Sequence, residues 1–282
     1  MNPAYAIGSL SSVLWGSADF LGGVAARRAP APAVAILSGL GGLLAVLLAL
    51  PLFTGSPSGA DLLWGAAAGV CGAASVSLMY RALALGPMSL AAPVFSLIGL
   101  SVPVVFGLVQ GERPAMLSWI GVGLAMLAIP LLSKTGEGHG HFSREHTRRT
   151  LAISIAAGLV VGWFLVCLAR VGGGAGLWPL VVARGAGMAV LGAFLLSRGR
   201  SLVPDPAARL PSFASGVVDS TANIAFLIAV HKGPLVLVSA LVSLAPATTV
   251  LLARFTLGER WTVHQTTGLA MALAAGVCIS IG

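Results

Sequence analysis

The sequence predicts an all-α integral membrane protein whose ten transmembrane helices form two inverted five-helix repeats. Three observations carry that prediction. Hydrophobic residues make up 57% of the 282 and charged residues only 9%, with a mean hydropathy of +0.98, whereas about a quarter of a soluble domain is charged. The chain divides into apolar runs of about 20 residues, the length that crosses the hydrocarbon layer as a helix. One stretch also occurs twice, from Ala82 as ALALGPMSLAAPVFSL and from Ala229 as AVHKGPLVLVSALVSL, 147 residues apart and without a gap.

The expected spans are 4–24, 32–53, 61–83, 88–109, 115–133, 150–170, 176–197, 208–230, 234–256 and 262–281. The first has no basic leader and no small-residue cleavage site, and Asp19 interrupts it, so it reads as an uncleaved span. Arg-Arg-Ala-Pro-Ala-Pro follows the first span, Gly-Ser-Pro-Ser-Gly the second and Gly-Gly-Gly the sixth. These are helix breakers in short connections. A membrane β-barrel would show alternation over about ten residues, and these runs are continuous.

Repeat identities include Gly86/Gly233, Pro87/Pro234, Ser96/Ser243, Gly121/Gly268, and Gly111-Glu112-Arg113 with Gly258-Glu259-Arg260. The same offset pairs Pro32 with Pro179, Leu63 with Leu210 and Gly69 with Gly216. It therefore maps spans two to five onto seven to ten. Each half holds an odd number of spans, so the second enters the membrane inverted, an arrangement recurrent in secondary transporters. Residues 1–133 form the first repeat, 134–149 a hydrophilic linker and 150–282 the second repeat. Gly-Pro suits a turn before a helix. Gly-Glu-Arg suits a left-handed helix end followed by an anion near the next helix start.

Of 16 basic residues, 12 fall in the odd-numbered connections, three in the even-numbered ones and one, Arg184, inside a span. The positive-inside rule then places the odd connections in the cytoplasm and both termini outside. The net charge of +8 is concentrated in loops, where it meets lipid headgroups; it forms no folded basic face for nucleic acid.

Ionisable groups in the bilayer core cost at least ~2.5–3.5 kcal/mol, so Asp19, Arg184 and Asp219 are the first candidates for a site. Ser215, Asp219 and Asn223, spaced four apart, line one face of the eighth span. Their counterparts are Ala68, Gly72 and Val76, and that of Arg184 is Leu37. The polarity was thus added to one half only, which favours a binding role. Arg184 reads equally as a structural ion pair with Asp219 or Asp19 and as a counter-charge for an anionic substrate group. Trp15 lies one turn before Asp19 and reads as packing first and cavity wall second.

His139, His141 and His146 cluster with Glu137 and Glu145 in the linker. They suit a solvated segment better than a zinc site, and leave a divalent-metal transporter as an alternative. Cys71, Cys167 and Cys278 stand in apolar runs as small fillers. No phosphate loop, HExxH or Ser-His-Asp order suggests an enzyme, and no cofactor is expected. A membrane scaffold or sensor without transport is a further alternative.

Ten spans in two halves, LWGSADF in the first span and the doubled Gly-Pro, span, Gly-Glu-Arg unit resemble the EamA family of the drug/metabolite transporter superfamily. The resemblance covers essentially the whole chain. It implies secondary transport, often export, of a small metabolite or drug through a central cavity, in a multi-pass protein of the plasma or inner membrane. Its partners are then a small-molecule substrate, membrane lipids and a coupling proton or cation. It also implies cytoplasmic termini, opposite to the basic-residue count.

Overall fold

The computed structural model describes residues 2–85, 88–132, 144–257 and 262–281. Its regular structure among those residues is helical throughout. The helices are α1 (Pro3–Ala26), α2 (Ala31–Ala49), α3 (Gly59–Leu85), α4 (Met88–Val109), α5 (Met116–Leu132), α6 (Arg144–Ala169), α7 (Trp178–Ser197), α8 (Pro206–Val230), α9 (Leu235–Val242), α10 (Ala245–Leu257) and α11 (Val263–Ile281). Seven stretches of the described residues are long and apolar enough to span a membrane, and 94–109 and 116–132 are shorter apolar helices.

Two boundaries differ from expectation. The ninth stretch is broken into α9 and α10 at Ser243–Leu244. Pro246 has no N–H to give to the carbonyl of Val242 and its ring crowds that turn. Helix α6 begins at Arg144, inside the expected linker. There Arg149 donates to Glu145 at 2.5 Å, one turn apart on an exposed surface.

The packing follows the repeat. Helix α1 lies on α8 and α6 on α3; α2 lies on α8 and α7 on α3; α5 packs against α11. At these crossings stand repeat glycines. A Cβ on Gly216 would lie 1.7 Å from the Ser38 carbonyl oxygen, and one on Gly69 2.1 Å from that of Ala183. Gly121 and Gly268 fill matching positions between α5 and α11. Close approach of two helix backbones requires small residues, because dispersion contacts hold helices together where the solvent is lipid.

Large apolar side chains face outward. Leu48, Leu63, Val109, Leu210 and Leu273 are each at least 66% exposed, while Ser11, Ser212 and Ser220 are buried. This inverts the soluble pattern and suits a hydrocarbon surround.

The even-numbered connections share one face, where hydrogen bonds join the two halves. Ser56 N–H donates to the Gly174 carbonyl at 2.9 Å, and Gly172 N–H to Asp61 Oδ1 at 2.7 Å. The Arg170 guanidinium covers the Trp64 ring. Glu112 accepts from the N–H groups of Leu235 and Val236 at 2.7 and 2.9 Å. Gly111, at φ 90°, ends α4 with Glu112 N–H bonded to the Gly107 carbonyl and Gly111 N–H to that of Leu108. This left-handed turn aims the carboxylate of Glu112 across the interface. Its partner is the first turn of α9 in the other half, where sequence spacing pointed to the helix that follows it. Gly86-Pro87 and Gly258-Glu259-Arg260 lie outside the described residues.

Candidate functional site

Asp219 stands near the middle of α8 with both carboxylate oxygens engaged. Trp15 Nε1 donates to Oδ1 at 2.9 Å. Oδ2 accepts from Arg184 Nη2 in an ion pair and from Asn223 Nδ2 at 3.2 Å. The same Asn223 amide donates to the Asp219 backbone carbonyl at 2.7 Å. That bond uses the four-residue spacing on one helix face and fixes the amide with its N–H groups towards the carboxylate. Four of the residues singled out in sequence thus meet in one cluster, drawn from α1, α7 and α8 and so from both halves.

The cluster is only partly closed off. The Asp219 and Arg184 side chains are 28% and 20% exposed, and Asn223 is buried. An ion pair of this kind is held by geometry and supporting donors, because desolvation offsets much of its attraction. The Trp15 and Asn223 donors supply that support.

Ser215 takes a different part. Its hydroxyl donates to the Ala18 carbonyl at 2.8 Å and is buried between α8 and α1. One turn and more further along, Ser11 donates to the Ala222 carbonyl, also at 2.8 Å. These bonds set the register of α1 on α8, which brings Trp15 level with Asp219.

Asp19 lies close enough to Asp219 for the two carboxylates to repel. It makes no hydrogen bond or ion pair with any described residue. Its position on α1 is informative. At about 100° per residue, Asp19 falls on the face of buried Gly8 and Ser12, opposite the exposed Leu10 and about a third of a turn from the exposed Val13. Yet Asp19 is exposed. The exposure therefore opens on the inward side of the helix. One turn on, a Cβ on Gly23 would meet nothing within 4 Å, so the open space continues towards the end of α1 and the first connection.

Three contributors escape sequence reasoning. A Cβ on Gly42 of α2 would come within 2.5 Å of Ser220 Oγ and 3.1 Å of Arg184 Nε, so this glycine makes room for the guanidinium. The only hint in the sequence is the adjacent pair Gly41-Gly42 in an apolar run. Phe226 backs the Trp15 ring at a centroid distance of 5.6 Å, and in sequence it is one apolar residue among many. Glu112 bridges the halves through a backbone target that no side-chain pattern announces.

No group of three or more His, Cys, Asp or Glu among the described residues is placed to hold a metal ion. Of the expected His and Glu cluster in the linker, residues 137–141 and the side chain of His146 lie outside the described residues. Cys71, Cys167 and Cys278 are free thiols.

Comparison with known proteins agrees with this two-part architecture. The model of the EamA-like transporter family matches residues 2–134 and 149–281. The second match begins at 149 against 2 for the first, 147 residues on, which is the offset of the repeat. A solved protein crystal structure superposes with a TM-score of 0.80 at 18% identity, covering 99% of this chain and 96% of its own. That likeness is one of fold. No protein of curated function matches the chain in sequence.

Proposed function

The chain belongs to the EamA-like transporter family, and from that premise we propose a secondary carrier that exports a small metabolite or drug by alternating access. Ten spans in two inverted halves would rock about a central site made of Asp219, Arg184, Asn223, Trp15 and Asp19. The observation that carries this reading is the polar cluster on Asp219, assembled from helices of both halves beside an inward opening. A rigid scaffold needs no such cluster, since its first-half counterparts are Gly72, Val76 and Leu37.

The mechanism follows from two features of the described residues. Hydrogen bonds across the halves close the even-numbered face, at Asp61, Gly172, Ser56, Gly174 and Glu112. The space beside Asp19 and Gly23 leads towards the opposite face. In this conformation the site opens to the odd-numbered connections, which carry most of the basic residues. By the charge count that side is the cytoplasm, and a carrier resting open there loads its cargo for export. Turnover requires the Glu112 and Asp61 links to break while the odd-numbered face closes.

The test begins with a thermal-shift screen of the purified protein against amino acids, nucleosides, sugars and cationic drugs, since a ligand of the folded state raises apparent stability. Flux of the ligand found is then measured in proteoliposomes. Asp219→Asn should abolish or strongly weaken flux with helicity unchanged. Undiminished flux in that variant would remove the site assignment.

A further inference from the structure

The site holds one cationic side chain, Arg184, against two carboxyl groups, those of Asp19 and Asp219. Asp219 has both oxygens engaged, by the indole, the guanidinium and the Asn223 amide. Asp19 has no donor among the described residues, yet it lies on the inward face of α1 beside open space. The neighbouring helices α2 and α9 bring no ionisable side chain, and Arg254 sits exposed in the last turn of α10. A carboxylate within a transmembrane helix calls for a cationic partner, and the described residues supply none to Asp19.

We infer that Asp19 is the subsite for a protonated amine of the substrate, so that the cargo is an organic ammonium with an apolar body. This rests on the reading of the cluster as a transport site. The chemistry around Asp19 selects among cations. Ca²⁺ and Mg²⁺ take six or more oxygen ligands and Zn²⁺ about four from His, Cys and carboxylates, and no such set gathers at Asp19 among the described residues. A single carboxylate beside an aromatic face suits an alkylammonium, whose N–H groups bond the carboxylate while its carbon skeleton lies against the ring. Trp15 lies one turn before Asp19, with its N–H fixed on Asp219 and its ring against Phe226. The Arg184–Asp219 pair then serves to keep Asp219 from competing for the amine.

Titration calorimetry on the purified full-length chain tests this with phenethylammonium and its neutral isostere, phenethyl alcohol. The ammonium should bind the wild type and Asp19→Glu, and bind Asp19→Asn about tenfold more weakly or worse, the scale of one charge-assisted hydrogen bond. The alcohol should bind all three weakly and alike. The inference is overturned if Asp19→Asn holds the ammonium as well as the wild type, if the alcohol binds as tightly as the ammonium, or if the ammonium does not bind at millimolar concentration. Its failure is separable from that of the transport reading. A chain that binds the ammonium through Asp19 but moves no solute in proteoliposomes keeps this subsite and loses the carrier. Asp219-dependent flux of neutral or anionic solutes that ignores Asp19 does the reverse.

Discussion

Asp219 and Arg184 are each costly alone in an apolar surround, and they are tolerated because each offsets the other. Removing one partner leaves the other's charge unmatched, at a cost of about 3–5 kcal/mol when such a pair is fully buried. The partial exposure of both side chains puts Arg184→Ala at or below the lower end of that range. The first half of the chain suggests a control. Replacing the pair with its repeat counterparts, as Arg184→Leu with Asp219→Gly, removes both charges together. Thermal unfolding should show the double variant more stable than Arg184→Ala, while flux stays lost in both. If the double variant is the less stable, the pair is a structural element and its place in the site is in doubt. Trp15→Phe keeps the ring on Phe226 and deletes the donor to Asp219, which should lower stability by about 1 kcal/mol and weaken binding of the transported ligand.

At the scale of elements, the helix crossings are set by glycine and the helix ends by long-range caps. Gly216→Val places side-chain atoms where the Ser38 carbonyl of α2 already stands. It should destabilise the fold by more than the ~1–3 kcal/mol of ordinary overpacking, because backbone cannot move aside as a side chain does. Gly42→Ala is the informative neighbour. The added methyl meets Ser220 Oγ and Arg184 Nε, so the variant should fold with a displaced guanidinium and reduced flux. Flux equal to the wild type there would show that the position of Arg184 is not critical. Glu112→Ala strips the first turn of α9 of its cap, worth about 1–2 kcal/mol, and loosens the even-numbered face. Its distinguishing readout is faster labelling of a cysteine placed at Asn223 by a thiol reagent added from that face, in a background without the three native cysteines.

For the whole molecule, two halves that match the same family model make corresponding helix contacts, and the differences between them mark the proposed site. The repeat explains why α1 lies on α8 and α6 on α3, and why Gly69 and Gly216 recur at corresponding crossings. It gives no account of why only the second half carries polarity at 215, 219 and 223. Under the proposed function that asymmetry has an explanation: a single off-centre cluster would serve one substrate molecule, while symmetric scaffolding would let the halves exchange conformations. The same cysteine at Asn223, without Glu112→Ala, should label from the side of the odd-numbered connections in the resting protein. Labelling only from the side of the even-numbered connections would reverse the assignment of the open face.

The sequence by itself determined the helical membrane class, the extent of most helices and the duplication, because these depend on local quantities: run length, hydropathy and register. It also identified Asp19, Arg184 and Asp219, since a charge in an apolar run stands out without any knowledge of its neighbours. What it left open was which groups meet. Arg184 could have paired with either aspartate, and only the tertiary packing, with α1 and α2 on α8 and α7 beside α2, decides for Asp219 and leaves Asp19 without a partner among the described residues. Ser215 looked like part of the binding stripe until its neighbour proved to be the Ala18 carbonyl. Glu112 was assigned to the helix after it, whereas the turn at Gly111 sends it to α9, 123 residues on. Trp15, read first as packing, donates to Asp219 because two serine hydroxyls lock α1 in register on α8. Partner choice is a matter of distances across helix interfaces, and periodicity along one helix carries no information about the side chain that faces it.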